Sequence, residues 1–197
     1  MSADVRKRTR DVARAAVRAD LAKVAFDLFR VRGFDAVTIS DVAAAAGVSR
    51  NTFMRYFETK EDAVLGVFET NGRRVAEALS ERPRNEDDWT ALRKALDVVV
   101  QEYRADPVSA LDATTLIQGT PSLLARRLQK RSGWRPLLTE VLTGRGNCSD
   151  PTALPYLVRA AAALDCLDIA VDYWAAAGGD GDLGEFLDSA FEAIAPS

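Results

Sequence analysis

Apolar positions recur at three- and four-residue intervals along almost the whole of this chain, a period that marks helices. The first stripe runs through Ala13, Ala16, Val17, Leu21, Val24 and Leu28. Ile39, Val42, Ala43 and Ala46 form a second, and Phe53 with Phe57 a short third at i, i+4. Further along, Leu92, Leu96, Val99 and Tyr103 share a face, as do Leu183, Phe186, Leu187, Ala190, Phe191 and Ile194. The run Val98-Val99-Val100 sits inside the former face, so no alternating strand pattern survives. Helices are predicted at about 8–32, 39–46, 50–56, 60–81, 88–105, 107–118, 121–143 (with Gly133 as a candidate break), 151–177 and 183–195. The predicted fold class is therefore all-α with about nine helices.

Turn and cap residues sharpen these boundaries. Asp106-Pro107, Thr120-Pro121 and Asp150-Pro151 each place a capping side chain before a proline at the first helical position. Gly119, Gly144 with Gly146, and Gly178-Gly179 supply the stops.

The segment Thr38 to Leu65 carries the most specific signal. Thr38 and Asp41 have capping-box spacing, Gly47 supplies a tight turn, and Ser49 is a natural N-cap for the next helix. Thr59 and Asp62 repeat the box and open a third helix. Two short helices joined by a glycine turn form a helix-turn-helix, which points to double-stranded DNA. If Phe53 and Phe57 are buried, helix 50–56 exposes Arg50, Asn51, Thr52, Arg55 and Tyr56, with Ser49 at its start. Arg and Asn suit guanine and adenine edges in the major groove, while Arg50 and Arg55 serve equally well on phosphate. Lys60 in the first turn of a helix opposes the dipole, which makes sense if a phosphate sits there.

The stretch from about Leu21 to Leu65 resembles the DNA-binding domain of the TetR family of one-component transcriptional regulators. The resemblance rests on Leu21, Val24, Ala25, Leu28, Phe29 and Gly33-Phe34, then Thr38-Ile39, Val42-Ala43 and Ala46-Gly47-Val48-Ser49, and finally Tyr56-Phe57 with Lys60-Glu61. Where many members carry a tyrosine after the buried Phe53 position, this chain has Met54. The resemblance implies that Thr38, Ser40, Tyr56 and Lys60 contact phosphates or bases. It also implies a homodimer on a palindromic operator, acting as a repressor released by a small-molecule inducer. Activation with the same fold is the alternative. The organisation expected is a DNA-binding domain at 1–59 and a ligand-binding and dimerisation domain at 60–197, with helix 60–81 as connector.

Charge changes the picture in a useful way. The 197 residues carry a net charge of -3, which alone argues weakly against nucleic acid. Residues 1–60 hold 12 Lys+Arg and 7 Asp+Glu, however, and residues 61–197 hold 14 and 22. A basic front on an acidic body fits a DNA reader with a separate partner domain. The leading cluster Arg6, Lys7, Arg8 and Arg10 either lies along DNA or is a solubilising frayed end.

In the C-terminal half, helix 151–177 is apolar nearly all round and needs burial on more than one side. Asp165, Asp168 and Asp172 mark the strip expected to meet water. With helix 183–195 it forms a candidate isologous four-helix dimer interface, carried by Leu157, Ala161, Leu164, Phe186 and Phe191. Helices in 88–143 should enclose a ligand cavity, by the same resemblance. Candidate ligand contacts are Tyr103, Arg127, Arg131, Trp134, Arg135 and Trp174. Arg127, Arg131 and Arg135 repeat at i, i+4 beside Trp134; this reads as an anion site or as a solvated charged face. Trp134-Arg135 also looks like an acyl-CoA-responsive branch of the family, so the inducer class expected is hydrophobic or acyl-CoA-like.

Other function classes find little footing. There is no histidine, which removes His-based triads and common zinc hydrolase sites. Gly179-Asp180-Gly181-Asp182-Leu183-Gly184 satisfies GxGxxG but follows no strand and carries two acids, so it is a loop. No metal site or cofactor is expected, and no enzyme; an all-helical enzyme built on paired carboxylates or a cofactor, and a helix-turn-helix used only for protein contact, are the remaining rivals. Cys148 and Cys166 lack CxxC spacing and read as reduced structural thiols. No apolar h-region follows the charged start, and the acids of 151–177 make a bilayer span costly. A cytoplasmic protein is expected.

Overall fold

The computed structural model describes residues 2–146 and 153–194, with the side chains of 2–7, 11 and 67–69 outside that description. Eleven α-helices and no strand occur among the described residues. They are α1 (Ser2–Arg32), α2 (Ile39–Ala45), α3 (Arg50–Met54), α4 (Lys60–Ser80), α5 (Asp88–Ala95), α6 (Asp97–Ala105), α7 (Pro107–Gly119), α8 (Pro121–Ser132), α9 (Trp134–Arg145), α10 (Leu154–Ala176) and α11 (Leu183–Ile194). The nine helices predicted from sequence are all present, and two of them are divided. One divides at Gly133 as anticipated; the other divides at Leu96, where nothing in the sequence marks a break. Leu96 is fully buried, and the segments on either side bury their own faces, Ala91 with Leu92 and Val99 with Val100. Packing, not propensity, sets that joint.

Two compact units divide the chain, Met1–Gly66 and Val67–Ser197. The first is built on Leu21, Ala25, Phe29, Phe34, Val37, Val42, Ala43, Phe53 and Phe57, all buried. Phe29 and Phe34 rings sit 4.8 Å apart, and Phe53 and Phe57 rings 5.1 Å apart. Helix α1 starts at Ser2, earlier than predicted, but Ala13, Ala16 and Val17 stay exposed. The apolar stripe continues in sequence while the core it would join ends at Leu21.

In the second unit α10 is the centre, packed against α5, α7, α9 and α11. Its Tyr156, Ala160, Ala163, Leu164, Cys166, Leu167, Ala170, Val171 and Trp174 are buried, as expected of a helix covered on more than one side. Capping follows the sequence in part. Asp106 accepts from Ser109 N at 3.0 Å. Thr120 makes no side-chain cap and is itself buried, so proline alone marks the start of α8. Asp150-Pro151 lies outside the described residues, and α10 begins with Leu154-Pro155 instead. Arg145 and Asp88 are both buried and paired at 3.2 Å. Arg145 also donates to the carbonyls of Arg82, Pro83 and Glu86 at 3.1, 2.9 and 2.9 Å, which fastens the connection between α4 and α5. Cys166 is buried, and burial pushes its thiol pKa up, as suits a structural residue; Cys148 lies outside the described residues. Among those residues no helix is long and apolar enough to cross a membrane.

Candidate nucleic-acid interface and ligand cleft

The turn between α2 and α3 is built from local bonds. Thr38 N donates to Asp41 Oδ2 at 2.8 Å and Asp41 N donates to Thr38 Oγ1 at 3.2 Å, completing the capping box. The Thr38 bonds hold the Asp41 carboxyl below its ordinary pKa. Gly47 takes φ 67, a left-handed conformation that side-chain-bearing residues rarely adopt, and so releases the chain into α3. Ser49 Oγ accepts from Thr52 N at 3.0 Å and bonds the Thr52 hydroxyl at 2.9 Å.

Helix α3 proper ends at Met54, two residues short of the prediction, and a tightened turn follows. Tyr56 N and Phe57 N both donate to Phe53 O, at 2.9 and 3.1 Å. With Phe53 and Phe57 buried, Ser49, Arg50, Asn51 and Arg55 are exposed, and Thr52 and Tyr56 are partly exposed. Thr38 and Ser40 are exposed too. Seven of the predicted contacts therefore come from Ser40 and one continuous stretch, Ser49–Tyr56, beside the cap of α2.

Lys60 is more committed than its sequence position implied. Its ammonium donates to Phe34 O at 2.8 Å and Val37 O at 3.3 Å, and lies 4.2 Å from the centre of the Phe34 ring. Two of its three donors thus tie α4 to the α1–α2 connection, and one remains for an outside acceptor. Two further arginines escaped sequence reasoning. Arg14 Nη2 donates to Arg55 O at 3.4 Å, and Arg18 lies 5.1 Å from the Phe57 ring centre. Their i, i+4 spacing was the available signal.

In the second unit the arginines of α8 are not a solvated face. Arg127 and Arg131 are buried, with Arg127 Nη2 3.3 Å from Asp172 Oδ1 and Arg131 Nη2 3.2 Å from Asp168 Oδ1. The acidic strip of α10 is therefore split: Asp165 and Asp172 meet water, while Asp168 turns inward to α8. Burial raises the Asp168 pKa against the pull of Arg131 and Arg127, and burial likewise lowers that of Arg131. The Arg131 guanidinium stacks 4.2 Å from the centre of the buried Trp134 ring. Among the described residues the buried Nε of Arg127 and of Arg135 meets no acceptor, an arrangement that costs about 1–3 kcal/mol per donor.

Tyr103 and Trp174 meet edge to face at 5.2 Å and line a cleft of about 230 Å³ with Arg104, Pro107, Gly179, Gly181, Asp182 and Leu183. Tyr103 also bonds Thr114 at 3.3 Å, and burial raises its pKa. Of the six predicted ligand residues, Tyr103 and Trp174 line the cleft, while Arg127, Arg131, Trp134 and Arg135 lie along α8 and the start of α9, with Arg131 and Arg127 near enough to Tyr103 to act on its charge. The GxGxxG stretch runs from the α10–α11 loop into the first turn of α11, and its Asp182 is held by Arg104 at 2.6 and 2.7 Å. No group of three or more metal-ligating side chains occurs among the described residues.

Of the predicted interface residues, Leu164 and Phe191 are buried in the protomer's own core. Phe191 instead packs 4.4 Å from the Trp89 ring. Leu157 is exposed, and Ala161 and Phe186 partly so. The apolar surface of α10 is carried by Leu154, Leu157, Val158, Ile169 and Tyr173, each more than 40% exposed.

Residues 21–66 match the model of the bacterial regulatory proteins of the tetR family, and residues 86–197 match the model of the MftR C-terminal domain. The mycofactocin biosynthesis transcriptional regulator MftR of Mycobacterium tuberculosis is 27% identical over 142 residues, 70% of each chain. The regulator TcmR of Streptomyces glaucescens is 27% identical over 145 residues, covering 71% of this chain and 61% of that protein. Among solved structures, the TetR-type repressor FadR of Thermus thermophilus, in complex with lauroyl-CoA, has a TM-score of 0.58 at 22% identity, covering 91% of this chain and 99% of that one. A helix-turn-helix with an exposed polar face, an all-helical second unit, and family matches over both make this chain a member of the tetR family of bacterial regulatory proteins, a transcriptional regulator and not an enzyme.

Proposed function

We propose that the chain is a repressor that binds a palindromic operator as a homodimer and lets go when a small molecule occupies its second unit. The observation that carries the DNA part is the sidedness of α3: Phe53 and Phe57 are buried while Arg50, Asn51 and Arg55 face water. Major-groove edges distinguish all four base pairs, and Arg and Asn bond guanine and adenine bidentately. Ser49, Thr52, Tyr56, Thr38, Ser40 and the remaining donor of Lys60 then serve as positioning contacts to phosphate. The dimer is supported by the apolar surface of α10, which a twin helix would cover. Two α3 helices would then read half-sites about 34–36 Å apart.

For the inducer, the proposed class is an amphiphile with an anionic head, such as an acyl-CoA thioester. The buried Nε of Arg127 on α8 and of Arg135 on α9, with the aromatic cleft at Tyr103 and Trp174, support it. So does the lauroyl-CoA bound by the Thermus thermophilus FadR. A route to α4 exists inside the second unit: Asn71 Nδ2 donates to Glu102 Oε2 at 2.5 Å, and Trp134 rests on Gly72. A ligand that binds one arrangement of these helices better than the other shifts operator affinity by that difference and no more.

The test is enrichment of random duplexes on the full-length chain, followed by fluorescence anisotropy on the enriched sequence with lauroyl-CoA, laurate or free CoA. Expected are a two-fold symmetric sequence and its release by the thioester. Failure to enrich any sequence at low salt, together with a monomer in ultracentrifugation, would refute the DNA reading. Tight lauroyl-CoA binding with unchanged operator affinity would refute that inducer.

A further inference from the structure

Residues 2–20 form more than half of α1 and lie ahead of the segment that matches the family model, which begins at residue 21. Every described side chain from Arg8 to Asp20 is exposed except Arg18, which is partly so. This stretch of helix therefore gains almost nothing from burial, and an isolated helix of that length is marginal in water. Its composition is one-sided: Arg6, Lys7, Arg8, Arg10, Arg14 and Arg18 against Asp4, Asp11 and Asp20.

The spacing arranges those charges. Arg10, Arg14 and Arg18 follow each other at i, i+4, so they share one face with a rise of about 6 Å between neighbours. The foot of this ladder is attached to the reading helix. Arg18 stacks on the Phe57 ring, and Arg14 Nη2 reaches the carbonyl of Arg55, the residue that caps α3. The arginine face is thus continuous with the exposed face of α3.

We infer that residues 2–20 are a second DNA-contacting element, in which Arg10 and Arg14 grip backbone phosphates of the duplex flanking the site read by α3. The inference rests on the reading of α3 as the DNA probe. Phosphate is favoured over a lipid surface because the rest of the stretch is alanine, three valines, a serine and a threonine, with none of the leucine or aromatic bulk that seats an interfacial helix. Contacts of this kind hold register and add affinity without reading sequence. They also account for the shape of the element, since an exposed charged face is stabilised when counterions are released from DNA.

The experiment measures the salt dependence of the full-length chain on a random 40-base-pair duplex, for wild type, Arg10→Gln, Arg10→Gln/Arg14→Gln, and Arg8→Gln, which points away from the ladder. Glutamine keeps helix propensity, and far-ultraviolet circular dichroism checks that the helix remains. The slope of log affinity against log salt should fall by about 0.9 per ladder arginine removed. Arg8→Gln should leave it unchanged, and the sequence preference from duplex enrichment should stay as in wild type. An equal slope in all four proteins overturns this inference and leaves the α3 reading standing, as does an equal loss from Arg8→Gln. Loss of binding to phosphatidylserine vesicles in the ladder variants, with the duplex slope intact, overturns it in favour of a membrane. Absence of any salt-dependent duplex binding by wild type removes the α3 reading as well.

Discussion

The indole of Trp134 rests directly on the backbone of Gly72, so close that a Cβ at that glycine would lie 2.5 Å from Trp134 Cδ1. Gly72 sits inside α4, where glycine ordinarily costs about 0.5–1 kcal/mol relative to alanine. Here the missing side chain lets α9 approach α4, and the same indole carries Arg131.

Gly72→Ala should therefore destabilise the protein by about 1–3 kcal/mol, because overpacking exceeds the helix-propensity gain. Urea denaturation of the two proteins measures the difference. A variant more stable than wild type would show that the indole does not need the space.

Lys60 serves two masters. Lys60→Ala should lower the stability of the first unit by about 1–3 kcal/mol, since the buried carbonyls of Phe34 and Val37 lose their charged donor. The same substitution should weaken cognate and random duplexes alike and flatten the salt slope by about one. Proteolysis protection of the first unit separates the two effects. An unaltered salt slope would confine Lys60 to its structural role.

Arg55→Ala should act differently from Lys60→Ala. Loss of a base contact costs about 1–3 kcal/mol on the enriched operator and relaxes preference at one position of each half-site. Competition binding with single-position operator variants measures this. A uniform loss on all sequences would assign Arg55 to phosphate.

The interface makes a paired prediction on two faces of one unit. Ile169→Glu, on the exposed face of α10, should yield a folded monomer in analytical ultracentrifugation. Phe191→Ala, inside the protomer, should instead cost about 3–5 kcal/mol of stability and leave the folded fraction dimeric. A dimer that survives Ile169→Glu unchanged would move the interface elsewhere.

Glu86 supplies a pH test. Its carboxylate bonds Arg82 at 2.7 and 2.8 Å and Lys94 at 2.6 Å, and these bonds lower its pKa from 4.5 to about 2. A depressed folded pKa means the unfolded chain takes up the proton first. The contribution is present above about pH 4.5 and is lost as pH falls toward 2. The urea midpoints of wild type and Glu86→Gln should differ at pH 6 and converge near pH 2. A constant gap would show that the stabilisation is not ionic.

What the amino-acid sequence determines here is whatever acts over a few residues. The Thr38–Asp41 box, the Gly47 turn, the Ser49 cap and the Phe53–Phe57 pair each involve groups no more than four positions apart, so the helix-turn-helix and its outward face are legible in the string. Proline and glycine punctuation marks most of the later helices for the same reason. The break at Leu96 is not legible, because a leucine there favours continuing the helix and only packing divides it. Nor is the fate of the α8 arginines: a basic face looks solvated until another helix lays Asp168 and Asp172 against it. Leu164 and Phe191 likewise share apolar faces with residues that stay exposed, and which side meets the protomer's own core depends on helix rotation. Gly72 under Trp134 belongs to this second kind, since the close approach of two helices far apart in sequence decides it. Local bonds write the reading head into the chain, whereas desolvation, which acts only once the helices have packed, decides which charges are buried and which faces remain for a partner.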